Sequence, residues 1–240
     1  MATVMNRIIE EQIRKWEHGS PADQPKTPKG NPFPVITISR EFGALGAALA
    51  KHMGEKLGFN VWDKEIVQAI AEKLGSNESF LETLDENRRK TINDMVSGFL
   101  KNSTTNAGYF RTLNQVVGAL EQHGNSVIVG RGANYICKDP KAFHLRLVSP
   151  FKDRTEQIAS RENLTKPEAR GYINKKDEER SEFVQYHFNK DVANAADYDL
   201  VLNSGVYSLD EMMKIVMLAY EMKTGLKLKL QKKGRTAEAQ

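Results

Sequence analysis

Short runs of β-branched residues alternate along this chain with longer stretches whose apolar positions return every three or four residues. Val35-Ile36-Thr37-Ile38 is the first such run, and its lack of polar alternation predicts a strand buried on both faces. Phe59–Trp62, Ser126–Val129, Phe143–Val148 and Tyr198–Leu202 are the other four strands expected. Helical spacing is read over Ala47–Leu57, Lys64–Leu74, Ser79–Asn102, Phe110–Gln122 and Leu209–Lys223, with the polar stretch Asn102–Gly108 as a break. Strands that alternate with helices predict an α/β fold: three layers, with a five-stranded parallel sheet covered on both faces.

The ends of the chain follow other rules. Met5, Ile9, Ile13 and Trp16 fall on one face of a helix expected over Thr3–His18. Pro21, Pro25, Pro28, Pro32 and Pro34 then exclude helix or interior strand and predict an extended linker. Residues 1–34 are thus expected to be a helix and linker, 35–224 the globular domain, and 225–240 a basic tail. Two readings of the first helix stand side by side: a cap on the body, or a docking helix for a second copy or another partner.

Composition narrows the class. The 240 residues are 40% hydrophobic and 28% charged, as a water-exposed domain requires, and the net charge of +4 owes much to the tail lysines. That tail is short and lacks interleaved aromatics, which argues against nucleic-acid binding. No apolar run approaches the ~20 residues of a membrane span. The single cysteine, Cys137, excludes an internal disulfide, and no secretory-signal layout opens the chain, so a cytoplasmic protein is expected. The five histidines show no metal-ligand spacing, and no metal site is expected from protein side chains.

Candidate chemistry begins after the first strand, at Ser39-Arg40-Glu41-Phe42-Gly43-Ala44-Leu45-Gly46. A strand, a glycine-bearing turn and a helix N-terminus together make an anion site: inward N–H groups, plus about half a positive charge from the helix. The full phosphate-loop motif is G-x-x-x-x-G-K-[ST]. Aligned from the strand, Arg40 stands at the first glycine, Gly46 at the lysine and Ala47 at the hydroxyl.

Five stretches, in order, carry a resemblance over about residues 35–220. They are Ile36–Gly43, Trp62-Asp63-Lys64-Glu65, Val127–Ala133, Asn174–Arg180 and Asp197–Asn203. The chain resembles the cytidylate-kinase-like family of P-loop nucleoside monophosphate kinases. The resemblance implies a three-layer P-loop kinase fold with a helical lid and insert. It also implies ATP and Mg2+ as cofactors and transfer of a phosphoryl group to a nucleotide or another small acceptor. Family members usually carry serine and glycine in the loop and a basic residue on the helix, where this chain has Ala44, Leu45 and Ala47.

On this reading Ser39, Arg40, Gly43 and Gly46 bind the donor phosphates, with Arg40 as a replacement cation. Arg131, between Gly130 and Gly132, grips the acceptor's phosphate. Lys176 and Arg180 belong to a lid closing over the transferring group, with Arg154 and Arg161 on the lid side. Asp177 has two open roles, orienting an arginine or a metal-bound water. Asp63 has three: touching the acceptor, joining the magnesium shell, or capping the helix expected from Lys64. The absent lysine leaves a second function class in play, a non-catalytic sensor of nucleotide or phosphate ligands that recruits a partner.

Overall fold

The computed structural model describes residues 26–63 and 106–231. The helices expected over Thr3–His18, Lys64–Leu74 and Ser79–Asn102 lie outside the described residues.

Five strands form one all-parallel sheet: β1 (Ile36–Arg40), β2 (Asn60–Trp62), β3 (Ser126–Val129), β4 (Phe143–Val148) and β5 (Leu200–Asn203), in the order β2-β3-β1-β4-β5. β1 is central, pairing Ile36 with Val127 on one side and with Phe143 on the other. Its apolar run exists because both faces are covered. Ile36, Ile38, Val127, Val129, Leu145 and Leu147 point into one cluster. Val35, Trp62 and Ile128 point into the other. The edge strand β5 is less buried, and Val201 is exposed there.

Helices α1 (Gly46–Leu57) and α6 (Leu209–Thr224) cover the first face. Leu49, Ala50, Met53 and Leu57 give α1 its buried stripe, and a capping box of Ser208 and Glu211 starts α6. Helix α2 (Asn106–His123) and the short α3 (Ala133–Ile136) cover the second face through Leu113, Val116, Val117, Leu120 and Ile136. Each fully buried large side chain in these clusters contributes on the order of 1.5–3 kcal/mol. Helix α2 starts at Asn106, inside the polar stretch expected to interrupt it; the apolar spacing of its later turns outweighs the weak helix preference of Asn and Gly.

Beyond β4 the charge-dense region forms α4 (Phe151–Glu162) and α5 (Lys166–Phe188). Thr165 and Glu168 make a capping box at the start of α5, and Asn189 ends it in a left-handed conformation. Only Ala169, Ile173 and Val184 of its 23 residues are buried apolar positions. Its polar face instead carries the ties to the loop after β1, through Asp177 and Arg180.

The two chain ends differ from the plain linker and tail read from composition. Thr27–Asn31 makes a hydrogen-bonded turn, Lys26 bridges to Pro32, and Phe33 is buried in the core. The Asn125 side chain accepts from the Phe33 N–H (2.8 Å), while its own N–H donates to the Phe33 carbonyl (2.7 Å). At the other end Leu228 is buried, and the Gln231 N–H donates to the Lys56 carbonyl. Among the described residues no helix is long and apolar enough to cross a membrane.

Candidate functional site

The loop after β1 turns sharply into α1. Leu45, at the second glycine's place in the motif, has φ 59°, and no side chain caps the helix that follows. A leucine in that left-handed region costs about 1–2 kcal/mol, so the chain keeps the glycine-type turn at a cost. Ala44 beside it is wholly buried, and Leu45 packs on the same core, which offsets the strain. Gly43, also left-handed, brings the loop against the Cβ of Arg154 on α4.

Arg40 leaves the end of β1 and crosses this turn. Its stem passes Gly46, its guanidinium lies against Gly130, and Nη2 reaches the Asp63 carboxylate at 3.4 Å. Asp63, at the end of β2, is therefore the counter-ion of Arg40. Pairing with Arg40 is a contact this structure gives it, alongside the roles left open by sequence.

Behind the loop sits a charge cluster built around one buried cation. Arg154, 8% exposed in its side chain, pairs with Asp177 of α5 and lies 3.4 Å from Glu41. It also donates to the carbonyls of Phe42 and Ser149. The other Asp177 oxygen accepts from the Phe42 N–H at 2.7 Å. Asp177 thus contacts an arginine and the loop backbone at once. The sequence reading has Arg154 only as an addition to the lid side; it is a central tie of the loop to both α4 and α5.

On the cavity side stand the remaining candidates. Ser39, Arg40, Arg131, Lys176 and Arg180 line one cavity of about 170 Å³, together with Gly130, Gly132 and Phe183. The β3–α3 turn holds Gly130, Arg131 and Gly132 all at positive φ, which aims Arg131 toward α5, where its guanidinium lies 5.6 Å from the Phe183 ring. Arg180 donates to the Arg40 carbonyl at 3.1 Å and lies over the Phe42 ring. Lys176 pairs with Glu179 at 2.7 Å and is 25% exposed, so it is held yet reachable. Four basic side chains thus face one small space at the C-terminal ends of β1 and β3, the end where open α/β sheets bind ligands. The site residues read from sequence divide: these line the cavity, Asp177 lines an adjoining one that shares Arg40 and Arg180, and Gly43 packs against α4.

Sequence reading missed a polar group beside the cavity. Arg146 on β4 is buried; it donates to the Ser39 hydroxyl (3.1 Å) and lies over the Tyr198 ring. The Tyr198 hydroxyl donates to the Val192 carbonyl (2.9 Å) and lies within hydrogen-bond distance of the Ser39 hydroxyl (3.2 Å). Tyr135 donates to Asp197, and burial beside the Tyr198 hydroxyl pushes its own pKa up, so it stays protonated. The signal was present: an arginine inside the apolar strand Phe-His-Leu-Arg-Leu-Val has to find partners.

Residues 35–206 match the model of the cytidylate kinase-like family. The chain belongs to that family. It is 25% identical over 185 residues to a cytidylate kinase from Natronomonas pharaonis, covering 76% of this chain and 86% of the relative. Among solved structures it is similar to an uncharacterized protein from Eubacterium ventriosum, with TM-score 0.55 and 18% identity over 78% of this chain and 98% of that one. A shikimate kinase from Bacteroides thetaiotaomicron aligns at TM-score 0.42 and 15% identity, over 79% of this chain and 97% of its own. The family match spans both glycine turns and α5, and so takes in every candidate residue named above.

Proposed function

We propose that the chain is a nucleoside monophosphate kinase-like phosphotransferase, moving a phosphoryl group from ATP to a nucleotide or another small phosphorylated or hydroxylated acceptor. The observation that carries this reading is the convergence of Arg40, Arg131, Lys176 and Arg180 on one cavity beside an uncapped helix N-terminus. Phosphoryl transfer asks a protein mainly for positioning and positive charge, and that is what these residues offer.

In this reading the Gly43–Gly46 backbone and the start of α1 would hold the donor phosphates, with Ser39 and Arg40 on the floor. Arg131 would hold the acceptor's phosphate by its planar fork. Lys176 and Arg180 would face the group in transit as the donor P–O bond breaks and the bond to the acceptor oxygen forms. Asp177 would act through Arg154, and Asp63 through Arg40. The described carboxylates nearest the loop are already in ion pairs, so magnesium would arrive with ATP, held by phosphate oxygens, and would supply further charge neutralisation there. Its place in the site is left to those oxygens, and no step here depends on it.

A second reading rests on positions 46 and 47, which carry neither lysine nor hydroxyl. Losing one preorganised donor commonly costs about 100–1,000-fold in rate, and a ligand sensor would tolerate that loss. The test is incubation with ATP, magnesium and a panel of nucleoside monophosphates, following both product and thermal shift. Turnover that Arg131→Ala abolishes supports the kinase. A ligand-dependent shift without product supports the sensor, and no shift with any nucleotide sinks both.

A further inference from the structure

The glycine at the lysine's place has a steric reason. A Cβ on Gly46 would lie 2.7 Å from Arg40 Cγ and 3.0 Å from its Cβ, closer than real side chains pack. A Cβ on Gly130 would overlap the Nη1 end of the same side chain. Gly130 also needs its left-handed φ of 79°. Two glycines on different strands' turns therefore bound one corridor, and Arg40 fills it from stem to head. Any side chain at position 46, lysine included, and the present path of Arg40 exclude one another.

The charge at the end of that corridor is well placed. The guanidinium reaches the wall of the cavity that Arg131, Lys176 and Arg180 share. Its side chain is 11% exposed, and the Asp63 carboxylate steadies it at 3.4 Å. The Arg180 bond to the Arg40 carbonyl fixes its backbone from the lid side. Simple decay of a phosphate loop would remove lysine and leave a gap. Here the space is occupied by another cation, and a second glycine on β3 accommodates it.

We infer that Arg40 replaces the missing loop lysine: it brings the positive charge to the terminal phosphates of a polyphosphate donor, and Gly46 and Gly130 are glycine because its route needs them to be. The inference rests on the donor-site reading above. The ligand class is a linear polyphosphate ester or its inorganic equivalent. Phosphate oxygens take over from Asp63 the open side of the guanidinium, whose fork suits them as well as a carboxylate.

Inorganic tripolyphosphate tests this by calorimetric titration, independently of any acceptor or turnover. The wild type binds it, and Arg40→Ala weakens binding by about tenfold to a hundredfold, the scale of one lost charge-assisted hydrogen bond pair. Gly46→Lys alone weakens binding and lowers the melting temperature. The double variant Arg40→Ala with Gly46→Lys regains melting temperature relative to Gly46→Lys, and affinity relative to Arg40→Ala, because lysine then enters an empty corridor. Arg40→Ala binding like the wild type overturns the inference while leaving the donor site standing. A double variant no better than either single overturns the exchange. Absence of tripolyphosphate binding by the wild type overturns the donor-site reading itself, and the inference with it.

Discussion

Two groups of charge lie on either side of the loop after β1, and they are built for different ends. Arg154, Glu41 and Asp177 form a cluster around one buried cation, in which each formal charge has an opposite partner and the loop's backbone adds further bonds. Arg131, Lys176 and Arg180 border open space, with Lys176 and Arg180 a quarter exposed and Phe183 for a wall. Both groups draw on the same turn of α5, with Asp177 between Lys176 and Arg180 in sequence. The contrast teaches that cation count says little by itself; what separates the two groups is whether the cation is buried against the loop it ties down, as Arg154 is, or stands beside open space, as Lys176 and Arg180 do.

Removing the buried cation is expected to have the largest effect. Arg154→Ala leaves two part-exposed carboxylates without their cation and the loop's carbonyls unpaired, and a loss of about 3 kcal/mol, the low end for a broken buried pair, is expected. Urea unfolding measures it, and a change below about 1 kcal/mol, typical of exposed pairs, would put Arg154 in the other group. Arg131→Ala should do the reverse: turnover or ligand-induced shift falls by on the order of 100-fold or more, with the unfolding midpoint nearly unchanged. A large loss of stability there would erase the comparison.

Between them comes Asp177→Asn. The amide oxygen still accepts from the Phe42 N–H while the charge facing Arg154 is lost, so about 1–3 kcal/mol of stability is expected to go. If the variant keeps its stability and loses ligand response instead, Asp177 belongs with the cavity group.

The smallest effect lies away from both groups, and it is a pH dependence. Burial holds the His144 imidazole below its ordinary pKa, against the opposing pull of Asp199, while Nδ1 lies 2.8 Å from the Thr37 hydroxyl across the β1–β4 register. The unfolded chain then takes up a proton near pH 6.5 that the folded chain refuses, so stability is full above about pH 6.5 and falls as the pH drops below it. His144→Asn should flatten that part of the stability profile. A slope unchanged by the substitution would assign it to another group.

How much of this was legible in the sequence depended on the reach of each interaction. The strands at Ser126–Val129 and Phe143–Val148 were readable to the residue because double-sided burial shows in a local run of apolar side chains. Arg131 was readable because glycines flank it. The Arg40–Asp63 and Arg154–Asp177 pairs were not, since each joins residues 23 positions apart through geometry that only the folded sheet provides. The meaning of Gly46 was hidden for the same reason: as a letter it is a missing lysine, and only the side chain passing over it shows it as an aperture. The helix start at Asn106 was missed because local preference was weighed above the packing of later turns.

One small clamp has a mechanical consequence. Asn125 holds Phe33 by two hydrogen bonds where the chain enters the central strand, at the end of β1 opposite the site. A load applied through residues 1–25 would be grounded there, roughly 23 Å of extended chain away from Arg40 at about 3.3 Å per residue. Whatever the N-terminal segment is tied to, the clamp isolates the charged cavity from its pull, much as a bolted flange keeps strain in a pipe from reaching the gauge beyond it.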